Sequence, residues 1–388
     1  MEVFNTPGKV IITCYKRLSP YLQEEVRRLG FEIKSSFSSG LEIQATGNDC
    51  IRLNLNLHCA SQIRYSLKSF TANDAETLYR GALTIPWEEV IAYDGYVSVT
   101  SNVNNPTVST PLFANLKVKD AIADRIKAKK GLRPDSGPEL QRTVVHLHWH
   151  EDRAEIFLDT SGEVLAKHGY RKHPGKAPML EALAAGVVYA TGWDGQTPFI
   201  NPMCGAGTLA IEAALITTNR KPGLFRMNYA FMHILGYVEE VFFEERRRLK
   251  AQVQKESPAK ITASDISRDA VNTARANAKT AGVDHLIDFH VCDFAKTPLP
   301  EGPGTVVFNP EYGERMGQLN RLMETYGRIG DFLKQHCEGK QGFVFTGSPE
   351  LAKKIGLRAS RRIEFYNGKL DCRLLEYEVY AGSRRTAE

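Results

Sequence analysis

No stretch of the sequence approaches the ~20 consecutive apolar residues that a helix across a bilayer requires, so a membrane span is excluded. A secretory leader is missing as well. The first twenty residues, MEVFNTPGKVIITCYKRLSP, carry Glu2 and only a broken apolar run, the reverse of a basic n-region followed by a continuous h-region. Both absences predict a cytoplasmic protein with no membrane partner. The cysteines do not make a framework. There are seven, Cys14, Cys50, Cys59, Cys204, Cys292, Cys337 and Cys372, an odd number without a single CxxC pair. That excludes a disulfide scaffold and a structural zinc site, and predicts reduced, mostly buried thiols. Charge of one sign is scarce too: Lys+Arg 50 against Asp+Glu 45 leaves +5, a weak global argument for a polyanionic partner. Internal repeats and low-complexity tracts are missing. What remains is 388 residues, 42% hydrophobic and 24% charged, enough chain for two or three globular domains.

The pattern changes along the chain. Residues 1–60 read as a small α+β unit: the strand VIITCYKR, the helix SPYLQEEVRRLG with Ser-Pro at its start and Gly at its end, a hairpin in FEIKSSFSSGLEIQATG, and LNLNLH as a period-two strand. Residues 61–162 continue as α+β. TANDAETLYRGALTI predicts a helix and GYVSVTSNV a strand; VKDAIADRIKAKKGLRP is amphipathic, with Val118, Ile122 and Ile126 on one stripe. VVHLHWHE and RAEIFLDTSG then alternate as two strands of a hairpin joined at Glu151-Asp152-Arg153. From 163 to 388, short apolar strands alternate with helices: TPFINPM, KITASD, LIDFHVCDF, GTVVFNP, GFVFTGS and LLEYEVYAG. Such alternation predicts a doubly wound, mainly parallel α/β sheet. Residues 219–258 interrupt it as an insertion.

Three strand ends carry chemistry. In FINPMCGAGTLAIEAAL, Gly205 and Gly207 lie between a strand and a helix, where a backbone must turn tightly and let a ligand approach. No GK[ST] follows, so this is not a triphosphate loop; Ala210 stands where a dinucleotide fingerprint needs its third glycine. That gap, and the lack of a hydride-transfer acid, exclude a nicotinamide oxidoreductase. Asp265 ends KITASD, at the place where doubly wound folds hold ribose hydroxyls, and Asp293 ends the next strand within reach of an adenine amine. Singly, each aspartate reads as a helix cap; in series with the glycine turn they point to a nucleoside-bearing cofactor. Third, VVFNPEYG places Asn309, Pro310 and Tyr312 at a strand's carboxyl end. The Asn309 side-chain oxygen and the Pro310 carbonyl are acceptors for an exocyclic base amine, turning its lone pair toward an electrophilic methyl. Tyr312 is placed to stack on an extruded base.

With LKVKDAIADRI, IFLDTSGEVLAKHGYRKHPGKAPMLEALAAGVV, NPMCGAGTLAIEAAL, SDISRDAVNTARANAKTAGV, NPEYGER and FYNGKLDCRLLEY in this order, the chain resembles the bacterial THUMP-containing RNA guanine-N2 methyltransferases over nearly its whole length. The likeness is greatest to the N-terminal, N2-methylating half of the enzymes that modify large-subunit ribosomal RNA. The resemblance implies a ferredoxin-like start, a THUMP RNA-binding domain and a class I, Rossmann-like methyltransferase domain, divided as 1–60, 61–162 and 163–388. It implies S-adenosylmethionine as cofactor. Asn201, Pro202, Cys204, Gly205, Gly207 and Thr208 would form the turn along its methionine part, Asp265 would hold the ribose and Asp293 the adenine. Asn309, Pro310 and Tyr312 would be catalytic, and the substrate would be ribosomal RNA or a ribosomal precursor particle. A monomer or weak dimer is expected. The larger enzymes carry a second methyltransferase half, which this chain is too short to contain.

Two positions depart from the family pattern. Asn201-Pro202 replaces Asp-Pro, which removes a charge facing the cofactor's ammonium. Glu311 replaces the second proline of Asn-Pro-Pro-Tyr, which frees one φ and adds a charge. These departures keep a non-catalytic RNA-binding or ribosome-assembly factor in view, beside a transfer-RNA guanine-N2 enzyme and a DNA adenine-N6 enzyme using the same amine chemistry. For RNA contact the candidates are Lys117, Lys119, Lys127, Lys129, Lys130 and Arg133, where seven cations counting Arg125 oppose Asp120 and Asp124. The plain alternative is a solvated helix face. Arg171, and the run KKIGLRASRR at 353–362, are weaker candidates. His146, His148 and His150 alternate on one strand face; without an acid or cysteine at matching spacing they predict no metal site.

Overall fold

The computed structural model describes residues 2–108, 110–173, 179–312 and 319–379. Residues 174–178, 313–315 and 380–382, which belong to three of the sequence landmarks above, lie outside the described residues. The chain divides into two compact units that interleave in sequence. The first comprises Met1–Cys14, Leu22–Leu165 and Pro222–Ala251, the second Tyr15–Tyr21, Ala166–Lys221 and Gln252–Glu388.

The first unit is built on an eight-stranded sheet. Its elements are β1 (Gly8–Cys14), α1 (Ser19–Arg28, whose first turn belongs to the second unit), β2 (Ile33–Phe37), β3 (Gly40–Ala45), α2 (Gly47–Asn56), β4 (Ala60–Thr71), α3 (Ala75–Leu83), β5 (Tyr96–Asn104), α4 (Pro111–Lys130), β6 (Asp135–Ser136), β7 (Thr143–His150) and β8 (Arg153–Asp159). The strand order is β2-β3-β1-β4-β8-β7-β5-β6. The hairpins expected at 31–47 and 143–162 are there, and Val118, Ile122 and Ile126 of α4 are buried as one stripe.

One expectation fails. Leu53–His58 is not a strand: it lies in and just after α2. A capping box, with Thr46 and Asp49 each bonding the other's backbone N–H, sets the helix start. Because α2 is buried nearly all round, Leu53, Asn54, Leu55 and Asn56 are inside together, and the alternation carries no face information. Both asparagine amide nitrogens donate back into the helix. Asn54 donates to the Cys50 carbonyl at 2.8 Å and Asn56 to that of Arg52 at 2.8 Å, four residues back in each case.

The second unit holds α5 (Glu181–Ala190), β9 (Phe199–Pro202), α6 (Thr208–Thr217), β10 (Ile261–Asp265), α8 (Arg268–Ala281), β11 (Ile287–Val291), β12 (Thr305–Phe308), α9 (Leu319–His336), β13 (Gln341–Thr346), α10 (Pro349–Lys354), β14 (Arg361–Asn367) and β15 (Leu370–Glu378); α7 (Glu239–Gln252) lies between α6 and β10, mainly in the first unit. Seven strands run in the order β11-β10-β9-β12-β13-β15-β14, parallel except for β15. Short apolar strands make it a buried sheet; Phe294, Phe308 and Phe332 meet edge to face with centroids 5.8–6.1 Å apart where α9 covers it. Strand order reverses between β9 and β12, and the carboxyl ends beside such a reversal are where doubly wound sheets bind ligands. Among the described residues no helix is long and apolar enough to cross a membrane. All seven cysteines are free thiols, six of them buried.

Candidate active site

The glycine turn grows directly out of β9. Two non-standard backbone positions, Met203 at φ +56° and Gly205 at φ +54°, swing the chain off the strand, and Gly207 at φ +80° caps α6. The turn is fastened to β10: the Cys204 N–H donates to the Ser264 carbonyl at 2.8 Å and the Gly205 N–H to the Asp265 carboxylate at 3.0 Å. The other Asp265 oxygen takes the Ser267 N–H at 2.9 Å. A carboxylate offers about four lone-pair sites, so acceptor capacity remains for a vicinal diol. The two glycines serve different purposes. A Cβ on Gly207 would stand 2.8 Å from the Ala274 methyl of α8, whereas one on Gly205 would meet nothing within 4 Å. Gly207 is a helix-packing glycine and Gly205 faces open space.

Asn201 is buried at the end of β9, and its amide donates to the Val307 carbonyl of β12 at 2.8 Å. Its oxygen has no hydrogen-bond partner. Pro202 is buried beside it and Thr208 opens α6, also buried. Burial, and then the neighbouring Asp265 charge, push the Cys204 thiol far up, so it stays neutral and inert. Asn277 of α8, fully buried, clamps the turn from behind. Its amide nitrogen reaches the Ala206 carbonyl at 3.3 Å and the His173 carbonyl at 3.0 Å, and its oxygen accepts the His173 N–H at 3.1 Å. The sequence signal for this position is an asparagine on the apolar side of an amphipathic helix.

Asp293 follows β11. It accepts the Ala295 N–H at 2.9 Å and the Arg328 guanidinium at 2.7 Å. Burial pushes its carboxyl up, but the bond from Arg328, the Ala295 N–H and the nearby positive charges outweigh it, leaving the group below the ordinary carboxylate value. Ile266, next to Asp265, is 73% exposed, an apolar surface that a flat adenine would cover.

At the end of β12 the Asn309 side-chain oxygen is buried without a hydrogen-bond partner. Pro310 is buried and Glu311 is exposed. Tyr312 stands edge-on to Phe345, with centroids 6.2 Å apart, and its hydroxyl accepts the Asn367 amide at 2.8 Å. Burial pushes that hydroxyl up to about 12 despite the Asn367 bond. Asn367 sits in the FYNGKLDCRLLEY landmark, so the β14–β15 hairpin reaches the Asn-Pro-Glu-Tyr segment, a link invisible in sequence.

The basic candidates are spread over both units. On α4 the exposed cations are Lys127, Lys129 and Lys130, followed by Arg133 past the left-handed cap Gly131. Cations there also offset the helix dipole's negative end. Lys117 and Lys119 are half-buried, Lys117 lying 5.7 Å from the Phe113 ring centre, while Arg125 is held by both carboxylate oxygens of Glu88. In the second unit Arg171 is tied to Glu181 at 2.9 Å and to the Met179 carbonyl at 2.6 Å; its guanidinium joins Met179 to the first residue of α5.

Residues 168–376 match the family described as the RMKL-like methyltransferase domain, 72–159 the THUMP domain and 9–64 the RlmL ferredoxin-like domain. A relative named "Ribosomal RNA large subunit methyltransferase K/L", from Syntrophotalea carbinolica, is 36% identical over 386 residues, covering 97% of this chain and 54% of that protein. The chain thus spans about half the length of the curated relatives it matches. A Listeria monocytogenes structure described as a predicted N6-adenine-specific DNA methylase matches at TM-score 0.87 and 27% identity, covering 96% of this chain and 97% of that one. A structure determined in complex with SAH matches at TM-score 0.88 and 23% identity, covering 98% of this chain and 100% of that one, a likeness of fold.

Proposed function

Since the chain belongs to the RMKL-like methyltransferase family, we propose that it transfers a methyl group from S-adenosylmethionine to the exocyclic N2 amine of a guanosine in large-subunit ribosomal RNA. The observation that carries this reading is the buried, unpartnered oxygen of Asn309 at the carboxyl end of β12. A buried acceptor left unpaired costs on the order of 1–3 kcal/mol, and an amine N–H is the partner it lacks. Hydrogen bonds from the amine to the Asn309 side-chain oxygen and to the Pro310 carbonyl orient the amine lone pair and stabilise the positive charge that develops on nitrogen.

The donor fits the residues at β9 and β10. Gly205 leaves open space beside the turn, Asp265 retains acceptor capacity, and Ile266 offers an uncovered apolar face. S-adenosylmethionine, the donor of this family, supplies a sulfonium-activated methyl. The nitrogen–carbon bond forms as the carbon–sulfur bond breaks, S-adenosylhomocysteine leaves, and the extra proton on nitrogen passes to water. No strong base is needed before transfer, in keeping with a site whose central residues are Asn, Pro and Tyr. We assign RNA capture to the THUMP segment, with Lys127, Lys129, Lys130 and Arg133 as phosphate contacts and Lys117 and Lys119 behind them. The same amine logic serves adenine N6, which the Listeria structure's description keeps as the second reading; the THUMP match favours RNA.

The test is mass spectrometry of ribosomal RNA nucleosides from cells lacking the protein, rescued with wild type or Asn309→Ala. N2-methylguanosine is expected to fall and to return only with wild type. In purified protein Asn309→Ala should slow turnover by roughly 100- to 1,000-fold with S-adenosylhomocysteine affinity unchanged. An unaltered nucleoside profile would overturn the ribosomal guanine reading.

A further inference from the structure

Beside Tyr312, on the side of β12 away from the glycine turn, the second unit contains a cavity of about 430 Å3 between α10, the segment after it and the β13–β15–β14 surface. Its size is that of a small-molecule subsite, in the range of ~300–1,000 Å3. Leu357, Ala359, Leu375 and Tyr377 supply apolar wall, and Lys353 and Arg362 stand at its edge. One wall reaches the proposed catalytic segment directly: Gly347 lines the cavity, and a Cβ there would come within 3.0 Å of the Tyr312 ring.

The charge lining this cavity is net positive, Lys353, Arg362 and Arg373 against Asp371. The run 353–362 contains Lys353, Lys354, Arg358, Arg361 and Arg362 and no acid. Arg361 is neutralised by Glu376, and the nearby Arg373 by Asp371 and Glu364. Lys353 and Arg362 are exposed and have no ion-pair partner among the described residues. Apolar wall suited to a base and unpaired cations suited to a phosphate together describe a nucleotide. The donor's place lies on the other side of β12, at β9 and β10. A base presented to Asn309 therefore leaves its neighbour in the strand to lie over β13 and β15.

We infer that this cavity is a subsite for a nucleotide flanking the modified base, its base against Leu357 and Ala359 and its phosphate on Lys353 and Arg362. The inference rests on the RNA-methyltransferase reading above. It assigns the basic run at 353–362 a role in choosing sequence context next to the target.

Two measurements on the whole protein test it. In the first, wild type is photo-crosslinked to a single-stranded RNA of about 12 nucleotides, a length typical of such sites, carrying 4-thiouridine next to a central guanosine. Crosslinks mapping to 353–377 are expected; crosslinks confined to other segments overturn the subsite. In the second, binding of the same RNA is followed by fluorescence anisotropy across a salt series for Lys353→Ala/Arg362→Ala. Removing two phosphate contacts should flatten the slope of log K against log salt by about 1.4 and weaken binding several-fold, while S-adenosylhomocysteine affinity stays at the wild-type value. An unchanged slope and affinity overturn the subsite even if nucleoside analysis proves methylation. Conversely, crosslinks at 353–377 with no methylated nucleoside leave the subsite standing and remove the catalytic reading.

Discussion

Asn201 closes a gap that the backbone leaves open. Pairing between β9 and β12 stops at Phe199↔Thr305 and Ile200↔Val306, because the strands part where the sheet order reverses. One residue on, the Asn201 amide takes over with its bond to the Val307 carbonyl. Seen only as a sequence, Asn201 is a departure from Asp-Pro that weakens a cofactor contact. In the structure it is a cross-strand donor, and aspartate has no proton to give there. Asn201→Asp should therefore destabilise the protein by about 2–3 kcal/mol at pH 7.5, the cost of a buried acceptor facing an acceptor. Urea unfolding measures it, and stability equal to wild type would show that the carboxylate finds another partner. Turnover of this variant reports on the cofactor contact only after that stability loss is accounted for. The glycine turn holds a similar division: the spacing announces two glycines, but only tertiary contact distinguishes Gly207, pressed on Ala274, from Gly205, open to a ligand.

At the scale of elements, α2 and β7 show how far periodicity reaches. Alternation in LNLNLH is compatible with a strand, yet the Thr46–Asp49 capping box starts a helix seven residues earlier. In β7 the alternation of His146, His148 and His150 is read correctly as one face, but burial divides them: His146 is inside, His148 and His150 outside. His146 lies 2.9 Å from the Thr100 hydroxyl of β5. Burial above all, then the charges of Arg64 and His148, lower its pKa from 6.5 to about 3. The folded protein keeps this imidazole neutral while the unfolded chain protonates it near 6.5, so stability is lost as pH falls from about 6.5 toward 3. By pH 5 the loss from this residue is about 2 kcal/mol. Urea midpoints at pH 7.5 and 5 should show it, and His146→Gln should shrink the pH 7.5-to-5 difference by that amount. An unchanged difference would place the acid sensitivity elsewhere.

At the scale of the whole molecule, the two units cannot be separated by one cut. Pro222–Ala251 falls within the range read as 163–388 but belongs to the first unit. It builds part of that unit's interior: Tyr229 stacks on Phe231 at 5.0 Å and Phe231 meets Phe242 at 6.1 Å. Gly223 lies so close to α2 that a Cβ would be 2.4 Å from the Leu55 Cα, and Glu245 accepts the Asn56 amide at 2.7 Å. A fragment of residues 1–165 should therefore fold poorly. Losing three buried aromatics that each contribute about 3–5 kcal/mol exceeds what a domain of this size can spare. Thermal melting by circular dichroism and binding of a hydrophobic dye will measure this. A cooperative melt near that of the full chain would show that 222–251 is dispensable to the first unit.

Local composition and order determined much of this protein. The α/β alternation, the glycine turn, the acidic strand ends and the Asn-Pro-x-Tyr segment are short-range patterns, because turns, strand ends and helix starts are governed by neighbouring residues. The tertiary structure decided what depends on groups distant in sequence. It turned Asn201 toward Val307, left the Asn309 oxygen unpaired, brought Asn367 to Tyr312 and Asn277 behind Ala206, and committed Arg171 to Glu181. Each of these is a hydrogen bond made or withheld in a buried place, and whether a buried polar atom has a partner is settled only when the chain has closed around it.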